Sequence, residues 1–137
     1  MLNTTHDCKL LKFPFFGKFV DKLTIIEGEK DVPFKIARTY TITGVASGVS
    51  RGSHGHQTLS QVVVCLAGEV CMTVDDGVQK NPIILNRPDQ GLYVPPGLWT
   101  DTNYMTDNVV LMVVCDGPYD EAEYIRDYND FLTFKEN

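Results

Sequence analysis

Two histidines, His54 and His56, lie two residues apart just before an apolar stretch and are well placed to do chemistry. Side chains at that spacing in an extended chain leave the same face, so both imidazoles are expected to point into one interior. Neutral imidazole has a pKa near ~6.5, so it can remove a proton α to a ketone and return it to the neighbouring carbon. The alternative is a pair of histidines satisfied by hydrogen bonds within the core.

Polar and aromatic side chains elsewhere are candidates to contact a small anionic ligand. The guanidinium groups of Arg51 and Arg38 match the geometry of a phosphate group, with a surface salt bridge as the alternative. Tyr40 is a candidate to donate a hydrogen bond to a keto oxygen, and Tyr93 is a weaker candidate of the same kind. Trp99 is a candidate to stack on a base or a sugar, or else to fill the core.

The composition fits one globular domain, residues 1–137, with 43% hydrophobic and 22% charged residues. Eighteen acidic against twelve basic residues give a net charge of −6, which disfavours nucleic acids and anionic membranes as partners. No apolar run approaches the ~18 residues of a membrane span, and no signal peptide is predicted. The four cysteines fit no zinc or redox spacing, which favours reduced thiols in a cytoplasmic protein.

The elements expected to position these residues are short strands rich in Val, Ile, Thr and Tyr. The predicted strands are residues 22–27, 37–44, 59–66, 69–75, 81–85, 91–94 and 108–115. Ala67 and Gly68 predict a hairpin between two apolar strands, and the residues Asp75, Asp76 and Gly77 predict a second one. The uniformly apolar stretch 109–114 predicts burial on both faces, as between two sheets.

One helix is predicted, near the end of the chain. Asp120 is a good N-cap, Glu123 stands where a capping box requires it, and Tyr119 with Tyr124 can form a hydrophobic staple. The aromatic residues Tyr124, Tyr128 and Phe131 then recur at helical spacing. These features predict a helix that begins after Asp120 and packs against the strands.

The spacing around the histidines resembles the first motif of the cupin superfamily. The glycine and histidine positions of that motif are occupied by Gly48, His54, His56 and Gly68. Gln61 replaces the family's glutamate ligand, and Thr100, in a second cupin-like stretch over 91–100, replaces its third metal histidine. Two histidines with an amide and a hydroxyl are a poor ligand set for Fe, Mn or Zn, so no metal and no cofactor are expected.

From about residue 23 to 131, the chain also resembles the nucleotide-sugar 3,4-ketoisomerases that act on dTDP-4-keto-6-deoxyglucose. Motifs of that family are matched in order and spacing over residues 33–40, 51–68, 91–99 and 119–128. The principal matching positions are Pro33, Phe34, Ile36, Arg38, Tyr40, Arg51, Gly52, His54, His56, Gln61, Cys65, Gly68, Gly91, Tyr93, Pro96, Trp99, Tyr119, Asp120, Glu121, Tyr124, Ile125, Arg126 and Tyr128.

The resemblance implies an all-β, cupin-type antiparallel β-barrel or jelly roll with a short C-terminal helix. It implies a homodimer with exchanged N-terminal strands that moves the keto group from C4 to C3 through an enediol. The product would feed an aminotransferase that makes 3-amino-3,6-dideoxyhexoses for surface glycans such as lipopolysaccharide. His54 takes the place of the family's base, His56 lies in the same pocket, and Gln61 and Thr100 join the expected substrate-binding residues.

Four positions depart from the family's pattern. Gln57 replaces the usual lysine, and Val20 with Asp21 aligns with its Arg-Gly or Tyr-Gly pair. Thr100 stands where members carry histidine or arginine, a position associated with an axial or equatorial C4 hydroxyl in the product. These departures keep alternatives open: a 3,5-epimerase-like enzyme, for which no catalytic aspartate is placed, a non-catalytic sugar-nucleotide-binding cupin, and, last, a metal-dependent cupin.

Overall fold

The computed structural model describes residues 2–17 and 21–136, which form twelve strands and one α-helix. The strands are β1 (Lys9–Lys12), β2 (Phe15–Phe16), β3 (Leu23–Thr24), β4 (Arg38–Ile42), β5 (Ser50–His56), β6 (Gln61–Ala67), β7 (Val70–Asp75), β8 (Lys80–Leu85), β9 (Gln90–Val94), β10 (Trp99–Tyr104), β11 (Val110–Cys115) and β12 (Tyr124–Ile125). The helix, α1, spans Tyr128–Glu136, and short 3₁₀ turns cover Thr5–Asp7 and Glu121–Glu123. No helix in the described residues is long and apolar enough to cross a membrane.

Two five-stranded antiparallel sheets form a cupin-type barrel. The first has the strand order β1-β9-β6-β11-β4, and the second has the order β12-β5-β10-β7-β8. Alternate side chains of each strand point between the sheets and form the main core, which includes Val63, Val74, Leu92 and Leu111. The predicted all-β, cupin-type barrel with a short C-terminal helix is therefore confirmed.

Strand β11 is buried on both faces, as predicted, but its two sides meet different partners. Leu111 and Val113 join the core between the sheets. On the outer face, Val114 packs in a second core with Phe13 and Val32. The outer face of β11 is thus covered by apolar side chains from the N-terminal part of the chain, such as Phe13 and Val32, rather than by a second sheet.

Of the two predicted hairpins, the one at residues 75–77 is confirmed and the one at Ala67 and Gly68 is wrong. β7 and β8 form the hairpin predicted at Asp75, Asp76 and Gly77, and Gly77 adopts a φ of +90°. Ala67 and Gly68 do not close a hairpin, because β6 pairs with β9 and β11 whereas β7 pairs with β8 and β10. The chain passes at this point from one sheet to the other.

The predicted helix start is wrong. Asp120 caps the 3₁₀ turn Glu121–Glu123 instead, accepting a hydrogen bond from the Ala122 backbone. The chain then returns to strand β12, which pairs with β5, and α1 begins only at Tyr128. Asp120 thus starts a single helical turn, but the helix does not continue, because β12 pairs with β5. This pairing brings Glu123 beside His56.

Candidate active site

A cavity of about 450 Å³ opens between the two sheets. β4 and β11 supply one wall, β5 and β10 supply the opposite wall, and residues around β12 close one side. The polar residues and tyrosines of the lining are Arg38, Tyr40, Arg51, Ser53, His54, Gln61, Thr100, Thr102, Tyr104, Tyr124 and Arg126. Six of the nine residues that the sequence predicts to act in catalysis or binding therefore line this cavity.

A bulge in β5 brings two of these residues onto one face. Opposite β10, the pairing moves from His54–Thr100 to Arg51–Thr102, so two residues of β5 face Asp101 alone. Gly52 supplies the bulge with a φ of +76°, a conformation that disfavours a side chain. Arg51 and His54, three residues apart, consequently both line the cavity instead of alternating in and out.

His54 has the environment of a neutral base. Its half-buried ring lines the cavity, with its centroid 5.0 Å from that of His56 and 5.3 Å from that of Tyr124. The pKa of His54 is lowered to about 4. Burial is the main cause, and the neighbouring His56 and Arg126 contribute to the same shift. The imidazole is therefore unprotonated at neutral pH and able to accept a proton.

His56 leaves the same face but lies behind the cavity wall and is not part of its lining. Its Nδ1 contacts the Glu123 carboxylate, and its Nε2 lies 2.9 Å from the amide nitrogen of Gln61. Burial lowers its pKa, although Glu123 opposes that shift. The expectation that both histidines face the cavity is thus corrected: His54 does, and His56 supports it from behind.

Strand β4 places a phenol and a guanidinium on the wall opposite His54. The Arg38 guanidinium carbon lies 5.3 Å from the Tyr40 ring centroid and 5.7 Å from that of Tyr119. Arg38 also approaches the Cys115 sulfur at 3.7 Å. Burial raises the pKa of Tyr40, so its hydroxyl stays protonated and is a hydrogen-bond donor at neutral pH.

Two residues expected at the ligand lie elsewhere. Trp99 is 6% exposed and packs against Tyr128 and Phe131 with ring centroids 5.3 and 5.7 Å away. It fills the core under α1, because the side chains of β10 that face the cavity are those of Thr100, Thr102 and Tyr104. Tyr93 points from β9 to the outer core with Phe13. Val20, aligned with a family position, lies outside the described residues.

The fold adds residues that the sequence analysis did not assign to the site. Tyr124 and Arg126 line the cavity, and the guanidinium carbon of Arg126 lies 4.5 Å from the Tyr124 ring centroid. The aromatic spacing assigned Tyr124 to a helix, and no local signal indicated its pairing with β5. The Tyr104 hydroxyl is buried in the lining and has no hydrogen-bond partner within the described residues.

The donor set does not fit a metal ion. Within residues 2–17 and 21–136, no group of three or more His, Cys, Asp or Glu side chains is arranged to hold one. His56 has both ring nitrogens engaged by Glu123 and Gln61. Thr100 on β10 lies opposite His54 on β5, at the position where the cupin motif has a metal histidine.

The two sheets and the cavity between them, with His54 in its lining, define a cupin-type barrel. The same class includes an RmlC epimerase from Mycobacterium tuberculosis, with a TM-score of 0.75 at 18% identity over 90% of this chain and 70% of that one. The family model "FdtA: WxcM-like, C-terminal" matches residues 6–136. The chain belongs to this family, as the resemblance to sugar 3,4-ketoisomerases predicted.

Two relatives cover nearly the whole chain. A TDP-4-oxo-6-deoxy-alpha-D-glucose-3,4-oxoisomerase from Aneurinibacillus thermoaerophilus is 40% identical over 122 residues, 87% of this chain and 88% of that protein. QdtA, a sugar 3,4-ketoisomerase from Thermoanaerobacterium thermosaccharolyticum solved with TDP, is 36% identical and has a TM-score of 0.93 over 97% of each chain. A histidine-to-asparagine variant of QdtA has been solved with TDP-4-keto-6-deoxyglucose, at 35% identity, a TM-score of 0.93, and 97% and 96% coverage.

Proposed function

We propose that this chain is a dTDP-sugar 3,4-ketoisomerase that converts dTDP-4-keto-6-deoxy-D-glucose to the 3-keto sugar. The observation that carries the proposal is His54, a neutral imidazole on the wall of the cavity, in a chain whose relatives perform this reaction. The cavity, with Arg51 at its exposed edge and Arg38 on the facing wall, suits a sugar diphosphate.

The chemistry needs one base within reach of C3 and C4 and one proton donor within reach of their oxygens. His54 takes the proton from C3, and the C–H electrons form the C3–C4 double bond while Tyr40 supplies a proton to the C4 oxygen. The resulting enediol loses the proton of its C3 oxygen to Tyr40, and His54 returns its proton to C4. Both side chains end as they began, and the sugar has exchanged its keto and hydroxyl positions.

Thr100 is proposed to set which face of C4 is protonated. Thr100 is buried and lines the cavity, and on β10 it lies directly opposite His54 on the neighbouring strand β5. A threonine is much shorter than the histidine or arginine that other family members carry there. It leaves room beside the sugar that a longer side chain would fill, which affects how the C4 hydroxyl is seated.

A homodimer is proposed from the apolar surface of the N-terminal strands. Leu10 on β1, Phe16 on β2 and Leu23 on β3 are 48%, 57% and 58% exposed in the isolated chain. β1 also pairs with β9 at the edge of the first sheet, where a partner's β1 can take its place by exchange. Sedimentation of the purified protein tests the dimer, and Phe16→Asp is expected to weaken it.

We also propose that the protein acts in the cytoplasm, where its four cysteines stay reduced. There its product is expected to be consumed by an aminotransferase that forms 3-amino-3,6-dideoxyhexoses for surface glycans. Coupling purified protein to such an aminotransferase and identifying the amino sugar tests both this placement and the C4 configuration.

The deciding experiment is proton NMR of the protein with dTDP-4-keto-6-deoxyglucose in D₂O, beside a His54→Asn variant. A new 3-keto species with solvent exchange confined to C3 and C4 supports the ketoisomerase. His54→Asn is expected to bind dTDP but not to turn over, and near-normal turnover would show that another residue is the base. Exchange at C5 would indicate an epimerase, and bound dTDP without exchange would indicate a binding protein.

A further inference from the structure

The Glu123 side chain is engaged on both carboxylate oxygens although it does not line the cavity. One oxygen contacts His56 Nδ1, and the other accepts the backbone N–H groups of Gln57 and Thr58 at 3.1 and 3.2 Å. The 3₁₀ turn and the pairing of β12 with β5 hold Glu123 at this place. The side chain is only 11% exposed, so these contacts are shielded from water.

These contacts determine which nitrogen of His56 carries the proton. A carboxylate only accepts hydrogen bonds, so Nδ1 must be the donor. Burial lowers the pKa of His56, which makes the ring neutral at neutral pH and leaves Nε2 as an acceptor. The Gln61 amide, 2.9 Å from Nε2, must therefore present its nitrogen to His56.

The orientation of Gln61 has a consequence for the cavity. Gln61 is 5% exposed, and the cavity is the open space that it lines. With the amide nitrogen turned to His56, the carbonyl oxygen is the atom left to face a ligand, and it has no hydrogen-bond partner among residues 2–17 and 21–136. Gln61 shares this cavity with His54, beside which the reacting carbons must lie.

We propose that Glu123 is a positioning residue that, through His56, holds the Gln61 carbonyl oxygen toward the cavity as the acceptor for a sugar hydroxyl beside the reacting carbons. This rests on the proposed ketoisomerase function. A carbonyl acceptor holds the C3 or C4 hydroxyl in one orientation as its proton is transferred. An amide N–H₂ at the same place would meet the hydroxyl as a donor and would not hold it in that orientation.

The change Glu123→Gln is expected to invert the whole chain of hydrogen bonds. The oxygen of the new amide stays with the backbone N–H groups of Gln57 and Thr58, so its nitrogen faces His56 Nδ1. His56 must then accept at Nδ1 and donate from Nε2, and Gln61 must turn its oxygen to His56 and its nitrogen to the cavity. The variant keeps the same shape but replaces an acceptor by a donor at the ligand.

The experiment follows the His56 tautomer by ¹⁵N NMR and turnover by the D₂O assay, with chelator present. Wild type is expected to show the Nδ1–H tautomer and Glu123→Gln the Nε2–H tautomer. The variant's kcat is expected to fall roughly 10- to 100-fold. Its KM and dTDP affinity change little, because arginines elsewhere hold the diphosphate. Glu69→Gln, the same change at a residue that contacts Asn86 away from the site, is the matched control.

The double variant Glu123→Gln with Gln61→Glu gives the stricter test. A carboxylate at position 61 accepts from His56 Nε2–H with one oxygen and returns an acceptor to the cavity with the other, so most of the lost kcat is expected to recover. Together with wild type, the two single variants and the double variant form a double-mutant cycle. The effects of Glu123→Gln and Gln61→Glu on kcat are expected to be strongly non-additive.

Three results would overturn the proposal: an Nε2–H tautomer in wild type, unchanged kcat in Glu123→Gln despite the inverted tautomer, or no recovery in the double variant. If Glu123→Gln does not fold, the wild-type tautomer still decides the first point. Wild-type protein without isomerase activity would refute the proposed function instead, and the tautomer would then test the hydrogen-bond chain by itself.

Discussion

The low pKa of His54 predicts an unusual pH profile for a histidine base. Its usual value of 6.5 falls to about 4, chiefly because the half-buried ring is poorly solvated when charged. At pH 5 a base of pKa 4 is about nine-tenths unprotonated, whereas one of pKa 6.5 is only about 3% unprotonated. The value of kcat/KM at pH 5 should therefore stay close to that at pH 7.5, instead of falling about thirtyfold.

The assay is the initial rate of ketosugar isomerisation at subsaturating substrate, measured from pH 4 to 8 by solvent deuterium incorporation. The protein's circular dichroism is recorded at each pH so that unfolding is not mistaken for titration. A tenfold decrease in kcat/KM per unit below pH 6.5, with the fold intact, would refute the assignment of His54 as a buried neutral base.

A charge change sharpens this test. Arg126 is one of the groups that lower the pKa of His54, so Arg126→Met should raise that pKa and move the acid limb of the profile to higher pH. Arg87→Met removes a guanidinium that pairs with Asp89 on the surface, away from the cavity lining, and should leave the limb in place. Identical profiles for all three proteins would show that Arg126 does not act on the base.

Other changes test the architecture. Since the folded pKa of His54 lies below its unfolded value, stability falls as the pH drops from 6.5 toward 4; urea unfolding should show wild type losing about 2 kcal/mol more than His54→Asn between pH 7 and 5. Gly52→Ala should cost about 1 kcal/mol in the same assay and weaken dTDP binding, measured by calorimetry, because the bulge needs its positive φ. Phe131→Ala should cost about 3–5 kcal/mol and shift the emission of Trp99 to the red, because it empties the core under α1. Exhaustive chelation should leave turnover unchanged, and a loss restored by one added metal would contradict the metal-free mechanism.

The strands were predictable because their pattern is local. Valine- and isoleucine-rich stretches bounded by turn residues marked the central strands, and the alternation over β7 showed which of its side chains are buried. β5 is not predicted because it is rich in glycine and polar residues, and β10 is not predicted because Trp99 follows a Pro-Gly turn and the inward residues of that strand are threonines and a tyrosine. The strand structure of β10 comes from pairing with β5 and β7.

The placement of individual site residues was less predictable. Trp99 belongs to β10, which lines the cavity, but its side chain leaves the other face, and Tyr93 belongs to β9, none of whose residues is in the lining. The spacing of Glu123 from Asp120 fits a capping box and predicts a capping role for Glu123. The pairing of β12 with β5 takes it instead to His56.

By itself, the sequence determined the class of barrel, the family and the pair of histidines, because glycine spacing, apolar alternation and residue type are properties of neighbouring positions. Tertiary structure alone decided which histidine faces the cavity and which stands behind it. It also decided that Tyr124, Arg126 and Glu123 join the site. Those outcomes depend on a one-residue bulge at Gly52 and on the two-residue pairing of β12 with β5, about seventy residues further along the chain. At both places a shift by one residue turns a side chain to the opposite face.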